Sequence, residues 1–239
     1  MPELNETEFI SIVVVIPCFR VRDRILDVIR DIGKEISSIF VIDDACPEHS
    51  GQYVKQHCND PRVTVVQHKS NQGVGGATIT GYQYALEAGA TVIVKMDGDG
   101  QMDASNIPDL VEPLLMSKAD YSKGNRFSRL EDLKGMPVLR LLGNSLLSFL
   151  SKFSSGYWPI LDPTNGFTAI HANVVPSLPV EKLSKRFFFE SDMLFRLNLI
   201  KAVVVDVPMS SRYLGEPSNL RIRKVGLEFL LKHTMNLLK

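Results

Sequence analysis

The stretch VKMDGDGQMD, from Val94 to Asp103, ends an apolar run with three acids in seven residues. Gly98 alone separates Asp97 from Asp99, and a glycine stands on each side of the second acid. The apolar residues before it, TVIV, are typical of a strand that is buried in a parallel sheet. Ligands of such sheets bind beyond the carboxyl ends of the strands, so this stretch predicts a ligand site at a strand end.

The rest of the N-terminal half alternates apolar strands with helical patterns. Strands are predicted in ISIVVVIPCF, IFVIDD, RVTVVQH and TVIVKMD, with helices between them at residues 22–36, 46–58 and 76–88. Such alternation predicts βαβ units, right-handed crossovers and a mostly parallel sheet flanked by helices, which is an α/β fold. The second half is less regular. Its patterns predict strands in ADYSKGNRF, GFTAIH and AVVVDVP, helices at 137–153, 187–200 and 221–238, and a loop at 156–166.

Composition limits the classes of function. The chain has 239 residues, of which 44% are hydrophobic, enough for one sizeable core. Because 27 basic side chains balance 27 acidic ones, we expect no nucleic-acid partner. Three cysteines without a CxxC pair favour a reduced, cytoplasmic compartment. No apolar run approaches about 18 residues, so we expect a soluble or peripheral chain.

The two carboxylates of the DGD stretch predict a metal site. Neighbouring carboxylates repel each other unless a positive charge lies between them. Mg²⁺ or Mn²⁺ prefers oxygen ligands, and Gln101 offers a further neutral oxygen beside Asp97 and Asp99. Two simpler interpretations stay open. The stretch could be a solvated turn, and Asp44, which ends the second strand, could cap the helix that follows it.

The glycine-rich stretch NQGVGGAT, from Asn71 to Thr78, predicts a close approach of a ligand to the chain. A dinucleotide fingerprint needs glycine where Thr78 stands, so a Rossmann cofactor site is not expected. A turn that lets a nucleotide approach the start of a helix is the remaining interpretation. Neither GxxxxGK[ST] nor GxSxG occurs in the sequence. The sequence therefore excludes an NTPase P-loop and a nucleophile elbow.

Seven motifs occur in a familiar order: VVVIPCF, VIDDACPEHS, NQGVGGA, KMDGDGQMD, ADYSKGNRF, DPTNGF and FFFESDML. Together they resemble inverting family 2 glycosyltransferases of the GT-A fold. The closer resemblance is to dolichyl- and polyprenyl-phosphate sugar transferases and bacterial polysaccharide enzymes. It spans residues 10 to 220. It implies one GT-A (Rossmann-like) domain at 1–220, with a nucleotide-binding half at about 10–125 and an acceptor half at about 126–220. A basic amphipathic helix at 221–239 follows.

The resemblance also implies roles for particular residues around a UDP- or GDP-linked sugar donor. The residues expected near the nucleotide and its diphosphate are Pro17, Phe19, Asp44, Gly73, Gly75, Asp97, Arg126, Arg212 and Ser218. Arg126 could face the acceptor instead, and Arg212 is also expected to act in catalysis by opposing the charge on the leaving phosphate. Asp99, with Asp97 and Gln101, is expected to hold Mg²⁺ or Mn²⁺. Asp192 and Glu190 are expected on the side of the nucleophile, although helix-start acids are also common without any function. The sequence departs from the family pattern in Ser218-Asn219-Leu220, where many relatives have Ser-Lys-Leu.

The acceptor is expected to be a polyprenyl phosphate, with a hydroxyl of a lipid-linked glycan as the second candidate. In the resembling lipid-phosphate enzymes a helix like Leu141–Phe153 flanks the acceptor site, although on periodicity alone it could equally be a plain core helix. The helix at 221–239 carries five Lys/Arg and one acid. It could therefore lie on an anionic membrane at its cytoplasmic face, or pack on the core. Two other functions stay open, a catalytically silent nucleotide-sugar-binding subunit and a nucleotidyltransferase.

Overall fold

The computed structural model describes residues 10–128, 148–209, 229 and 232–236. Seven strands form one sheet: β1 Ile12–Cys18, β2 Ile36–Asp43, β3 Val63–Gln67, β4 Val92–Lys95, β5 Tyr121–Asn125, β6 Thr168–His171 and β7 Val204–Pro208. Their order is β3-β2-β1-β4-β6-β5-β7. Only β6 runs antiparallel to its neighbours, β4 and β5, among these strands. The predicted α/β fold with a mostly parallel sheet is therefore confirmed.

Helices cover both faces of this sheet. Their bounds are α1 Ile25–Asp31, α2 Ser50–His57, α3 Val74–Glu87, α4 Ile107–Leu115, α5 residues 148–155, α6 Phe189–Leu199 and α7 residues 229 and 232–236. Short 3₁₀ turns lie at Ala104–Asn106, Ala172–Ser177 and Val180–Lys182. Neighbouring side chains of β1 point to opposite faces. Val14 and Ile16 join a core cluster with residues of α1 and α4, whereas Val13 and Val15 join one with residues of α3 and α6.

Several predicted bounds need correction. The helix predicted at 22–36 ends at Asp31, and Ile36 instead begins β2, because Gly33 interrupts the helical pattern before the β-branched run. The helix predicted at 46–58 begins only at Ser50. Helix α4 was not predicted, since Pro108 and Pro113 break its apolar pattern. Of the helices predicted at 137–153 and 221–238, residues 137–147, 221–228, 230–231 and 237–238 lie outside the described residues.

The described part of the C-terminal segment packs on the core. Phe229, His233 and Asn236 are buried, and the Phe229 and His233 rings both pack edge-to-face on Phe188, the residue before α6. This packing is the second of the two interpretations offered for the helix at 221–239. Among the described helices, none has the length and apolar character needed to cross a membrane.

Candidate active site

The predicted acids lie at one edge of the sheet. Strand β1 lies between β2 and β4, and all three run in the same direction. Their carboxyl ends therefore bring the residues after β2 next to Pro17 and Phe19 of the first strand end, and the DGD turn lies at the end of β4. Phe19 is 40% exposed there, as a residue available to a ligand should be. The sheet topology thus assembles the crevice that the sequence predicts.

The loops at this edge contain strained backbone. Arg20, just after β1, and Ala45, just after β2, have positive φ angles of 58° and 52°. His49, before α2, has a φ of 54°. The Arg20 amide donates to Cys46 Sγ at 3.0 Å and so connects the two loops. Such backbone costs about 1–3 kcal/mol per residue and is concentrated at functional sites, which fits the position of these loops beside the crevice.

Asp44 organises the glycine-rich loop. Its Oδ1 lies 2.8 Å from His68 Nδ1 and accepts from the Gln72 amide at 2.7 Å, while its Oδ2 accepts from the Gly73 amide at 2.7 Å. The other ring nitrogen of His68 lies 3.0 Å from Thr80 Oγ1 on α3. This buried carboxylate therefore fixes the loop that leads into α3. Its predicted contact with the base or ribose stays a prediction.

The capping role offered for Asp44 belongs to its neighbour. Asp43 accepts hydrogen bonds from the Cys46 amide at 2.8 Å and from the Gly51 amide, in the first turn of α2, at 3.0 Å. A carboxylate in this position satisfies amides that have no partner within the helix. The structure therefore assigns adjacent acids different tasks, Asp43 at α2 and Asp44 at the glycine-rich loop.

The glycines of that loop accommodate another part of the chain. A Cβ on Gly73 would lie 2.3 Å from the carbonyl oxygen of Lys185, and one on Gly75 would lie 2.4 Å from that of Ser184. The Gly75 amide donates to Lys185 O at 2.9 Å. The space beside these glycines is therefore occupied by the segment that leads into α6. A contact with the nucleotide stays a prediction for both residues.

A buried lysine connects the end of β4 to α6. Lys95, which is 1% exposed, lies 2.8 Å from Asp97 Oδ1 and 3.1 Å from Glu190 Oε1. Burial alone would lower the pKa of Lys95, but the two carboxylates outweigh it and hold that pKa above its usual value. Gly166 makes room for this arrangement, because a Cβ there would lie 2.4 Å from Lys95 Nζ. Lys95 thus joins Glu190 and Asp97, two acids that the sequence predicted as site residues. Lys95 itself was not predicted.

A second buried lysine lies in the same row of the sheet. Lys95 of β4 pairs with Thr168 of β6, which pairs with Lys123 of β5, which in turn pairs with Asp206 of β7. The Lys123 ammonium donates to the carbonyl of Asn165. Burial lowers the pKa of Lys123 to about 8, and burial raises the pKa of Asp206 to about 6. Lys95, Thr168 and Lys123 therefore form a row of buried polar side chains, which the half-buried Asp206 continues on β7.

Asp97 and Asp99 have the chemistry of a metal site for a hard cation. Asp97 has a side chain that is 33% exposed. Asp99 is partly exposed, and its Oδ1 accepts from the Gln101 amide at 3.0 Å. The described residues contain no group of three or more His, Cys, Asp or Glu side chains arranged for a metal. Mg²⁺ typically takes only one or two carboxylates and completes its shell with water and substrate phosphates, so this donor set fits the predicted ion.

Arg126 is held by a carboxylate. Its Nε and Nη2 donate to Asp162 Oδ2 at 2.7 Å and Oδ1 at 2.9 Å, a bidentate pair with a fully buried acid. Such a pair fixes the plane of the guanidinium. The Arg126 side chain is 20% exposed. Its predicted contact with the diphosphate or the acceptor would have to be made from this fixed orientation.

Asp192 is buried and engaged on α6. Its Oδ2 accepts from the Ser184 amide at 2.8 Å, and its Oδ1 accepts from Asn236 Nδ2 at 3.3 Å and lies 3.6 Å from Arg196 Nε. It therefore ties α6 to the segment beside Gly75 and to α7. Its predicted role toward the nucleophile stays a prediction. Arg212 and Ser218 lie outside the described residues.

Three residues of this site were missed from the sequence: His68, Lys95 and Asp162. Lys95 gave a signal, since a charge inside an apolar strand has to find a partner. Asp162 begins the DPTNGF motif, which was recognised without a role for its acid. His68 gave none, because its partners Asp44 and Thr80 lie on other elements.

A mostly parallel sheet with carboxylates at neighbouring strand ends defines an α/β protein with a ligand site at that edge. The sequence model of the family described as Glycosyl transferase family 2 matches residues 13–178. The chain is 27% identical to a UDP-N-acetylglucosamine–dolichyl-phosphate N-acetylglucosaminyltransferase from Methanococcus voltae, over 95% of this chain and 96% of that protein. It is 31% identical to an undecaprenyl-phosphate mannosyltransferase from Micrococcus luteus, over 79% and 77%. The chain therefore belongs to glycosyl transferase family 2 and is a glycosyltransferase.

Solved structures establish the fold independently. Glucosyl-3-phosphoglycerate synthase from Mycobacterium tuberculosis, crystallised with Mn²⁺, UDP and phosphoglyceric acid, superposes with a TM-score of 0.69 at 15% identity, over 95% of this chain and 78% of that one. Mannosyl-3-phosphoglycerate synthase from Rubrobacter xylanophilus gives a TM-score of 0.70 at 16% identity, over 95% and 73%. The fold is that of GT-A glycosyltransferases, as the sequence motifs implied.

Proposed function

We propose that this chain transfers a sugar, with inversion, from a UDP- or GDP-linked donor to a polyprenyl phosphate, with Mg²⁺ or Mn²⁺ at Asp97 and Asp99. The names of its relatives support the acceptor, since they describe transferases of dolichyl phosphate and undecaprenyl phosphate. The Mn²⁺ and UDP crystallised with a structural neighbour support the donor class and the metal.

The acceptor proposal rests on one observation, that both acids on α6 already have hydrogen-bond or ion-pair partners within the protein. Glu190 is paired with Lys95, and Asp192 accepts from the Ser184 amide and from Asn236. A hydroxyl nucleophile loses a proton as it attacks, so it needs a base within hydrogen-bond reach. A phosphate monoester is already an anion near neutral pH and needs none. Acids that are held by other partners therefore favour a phosphate acceptor over a hydroxyl.

The leaving group defines the remaining requirements. Breaking the bond between the anomeric carbon and the donor places negative charge on a nucleoside diphosphate. When bound, a divalent cation supplies positive charge that stabilises this leaving group. Asp99 and Asp97 would hold that ion, with Gln101 beside them. Arg212 would add a second positive charge, and Pro17 and Phe19 would border the base.

Lys95 acts in this proposal through Asp97. Its ammonium holds Oδ1 of that carboxylate at 2.8 Å from within the core. The other oxygen lies beside Gly166, where a Cβ would approach it to 2.7 Å. An anion that is held at one oxygen and has open space beside the other presents a defined orientation to the sugar or ribose, so Lys95 is a positioning residue.

The second acceptor candidate is a hydroxyl of a lipid-linked glycan. Asp192 would then serve as the base, and it would have to give up the contact with Ser184 or with Asn236 to reach the substrate. Breaking hydrogen bonds to a buried carboxylate carries a cost for each bond. Because of this free-energy cost, a hydroxyl is the less favoured of the two acceptor candidates.

One experiment tests the proposal against its alternatives. The purified chain is incubated with a panel of UDP- and GDP-sugars, Mg²⁺ or Mn²⁺, and a short-chain polyprenyl phosphate. We expect release of a nucleoside diphosphate, formation of a glycosylated lipid phosphate, and an anomeric configuration opposite to that of the donor by NMR. Pyrophosphate released from a nucleoside triphosphate would identify a nucleotidyltransferase. Donor binding without any turnover would identify a silent binding subunit.

A further inference from the structure

His68 connects the ends of two strands to a helix. It follows β3 directly, and its backbone amide donates to the carbonyl of Asp43, the last residue of β2, at 2.8 Å. Its ring lies between the Asp44 carboxylate and Thr80 on α3, with Nδ1 2.8 Å from Asp44 Oδ1 and Nε2 3.0 Å from Thr80 Oγ1. The side chains of His68 and Asp44 are only 6% and 3% exposed. Both ring nitrogens are therefore held inside the protein, at the edge of the sheet where the crevice lies.

The partners of the His68 ring determine where its hydrogen lies. A carboxylate oxygen that already receives a backbone amide can only accept, so the ring nitrogen beside Asp44 carries a hydrogen and donates it. A hydroxyl can donate or accept, so Thr80 satisfies the other ring nitrogen with or without a hydrogen on it. Thr80 therefore stabilises the ring in the orientation that directs its Nδ1 hydrogen to Asp44.

The Asp44 carboxylate has three of these hydrogen bonds and room for one more. Its two oxygens offer about four acceptor positions, and the amides of Gln72 and Gly73 together with the His68 ring fill three of them. The two amides belong to neighbouring residues of one loop, whereas His68 holds the carboxylate from a different element, the end of β3. The ring therefore prevents the carboxylate and the glycine-rich loop from turning together as one unit.

We propose that His68 is a positioning residue for the nucleotide of the donor, because it holds the Asp44 carboxylate in an orientation that leaves the fourth acceptor position to the base or ribose. This proposal rests on the proposed function, since Asp44 is the acid predicted to contact the donor. An acceptor that is already fixed loses less conformational freedom when the ligand binds than one that must first be ordered. His68 does not touch the donor and acts only through Asp44.

The place of the Asp44 contact determines its kinetic signature. The base and ribose are remote from the anomeric carbon, where the bond to the leaving group breaks. An interaction that is equally strong in the ground state and in the transition state lowers KM and leaves kcat unchanged. Loss of the positioning by His68 should therefore raise the KM for the donor and the Kd for the nucleoside diphosphate together, with kcat at saturating donor near the wild-type value. A purely structural role predicts a lower melting temperature without this split between KM and kcat.

Two substitutions separate the contacts of the ring. His68→Asn places an amide N–H near the position of Nδ1 and keeps the donor to Asp44, whereas His68→Gln extends to the position of Nε2 and keeps only the contact with Thr80. Each full-length chain is titrated with UDP and with GDP in the presence of Mn²⁺ by calorimetry, assayed for KM and kcat, and melted without ligand. We expect His68→Gln to weaken nucleotide binding by about tenfold or more and His68→Asn to stay within about threefold of the wild type. His57→Gln is the matched control, because the His57 Nδ1 lies 2.9 Å from the Tyr53 carbonyl at an exposed position of α2, and it should bind as the wild type does.

Equal losses in the two His68 variants would overturn the proposal, because the loss would then follow the ring and not its Nδ1 donor. Wild-type binding by His68→Gln would overturn it as well. If His68→Gln does not fold, Thr80→Val decides, since it leaves His68 in place and removes the hydroxyl that orients the ring. Weaker nucleotide binding with unchanged kcat then supports the proposal, and wild-type binding contradicts it. A wild-type chain that binds neither UDP nor GDP would refute the proposed donor, whereas wild-type binding that every variant preserves refutes the positioning role alone.

Discussion

Replacing Lys95 by methionine tests the buried connection between β4 and α6. The change removes the ammonium that lies 2.8 Å from Asp97 and 3.1 Å from Glu190. Asp97, one third exposed, remains hydrated, so most of the cost comes from Glu190, which is 9% exposed. Removing one partner of a buried ion pair costs about 3–5 kcal/mol. The nearby Lys123 ammonium offsets part of this loss, so we expect about 3 kcal/mol.

A loss of that size lowers the melting temperature of a chain of this length by about 6–12 °C. The double variant Lys95→Met/Glu190→Gln removes both charges and should regain most of the lost stability. It should not regain activity, because Asp97 still lacks the group that orients it, and misplacement of a catalytic group costs about a hundredfold in rate. Lys123→Met is the matched control, a buried lysine in the same row, and we expect it to cost only about 1 kcal/mol.

The assay is calorimetric unfolding together with donor turnover for the four proteins. The reasoning is refuted if Lys95→Met melts within about 2 °C of the wild type, well short of the expected loss. It is also refuted if the double variant recovers wild-type turnover, since Asp97 would then need no positioning by Lys95. Recovery of stability without turnover separates the structural role of the lysine from its positioning role.

Two further predictions concern the metal and pH. Asp99→Ala should abolish turnover and the enhancement of donor binding by Mn²⁺ while the fold stays intact; full turnover of this variant in EDTA would contradict the metal assignment. Burial lowers the pKa of His233 to about 4, against a smaller opposing effect of Asp192, so the unfolded chain binds this proton first as the pH falls. The free energy of unfolding should therefore decrease as the pH falls from about 6.5 to about 4. His233→Gln, which can still bond to Ser154, should flatten that part of a urea-unfolding pH profile.

The strand ends could be predicted from the sequence because their signals are local. An apolar run fixes each strand, the alternation with helices fixes the parallel direction, and the acids after each run must then lie at one edge. The antiparallel insertion of β6 could not be predicted, since four residues do not encode a direction. The partners of charged residues could not be predicted from the sequence either. Lys95 and Glu190 are 95 positions apart, and only the packing of α6 on the sheet brings them together.

The glycines of NQGVGG illustrate the same limit. Their pattern predicted a close approach of a ligand, whereas the close approach in the structure is that of the chain itself, at the backbone of Ser184 and Lys185. The sequence identified the need for space without identifying the atoms that fill it. The adjacent acids Asp43 and Asp44 show the same limit of prediction from sequence. The sequence offered Asp44 both as a cap of the following helix and as a ligand contact, but which of the two adjacent acids faces α2 depends on the alternation of side chains at the end of β2.

The central claim is that the acceptor is a phosphate, because the acids of the site are held by other partners. The variant Asp192→Asn tests this claim most directly. Wild-type and variant chains are assayed with a polyprenyl phosphate and with a hydroxyl-bearing lipid-linked glycan, and donor binding is measured separately. We predict transfer to the phosphate, reduced only modestly in the variant because Asp192 positions α6 and supplies no base. Transfer to the hydroxyl acceptor alone, with a loss beyond about a thousandfold in the variant and unchanged donor binding, would contradict the account.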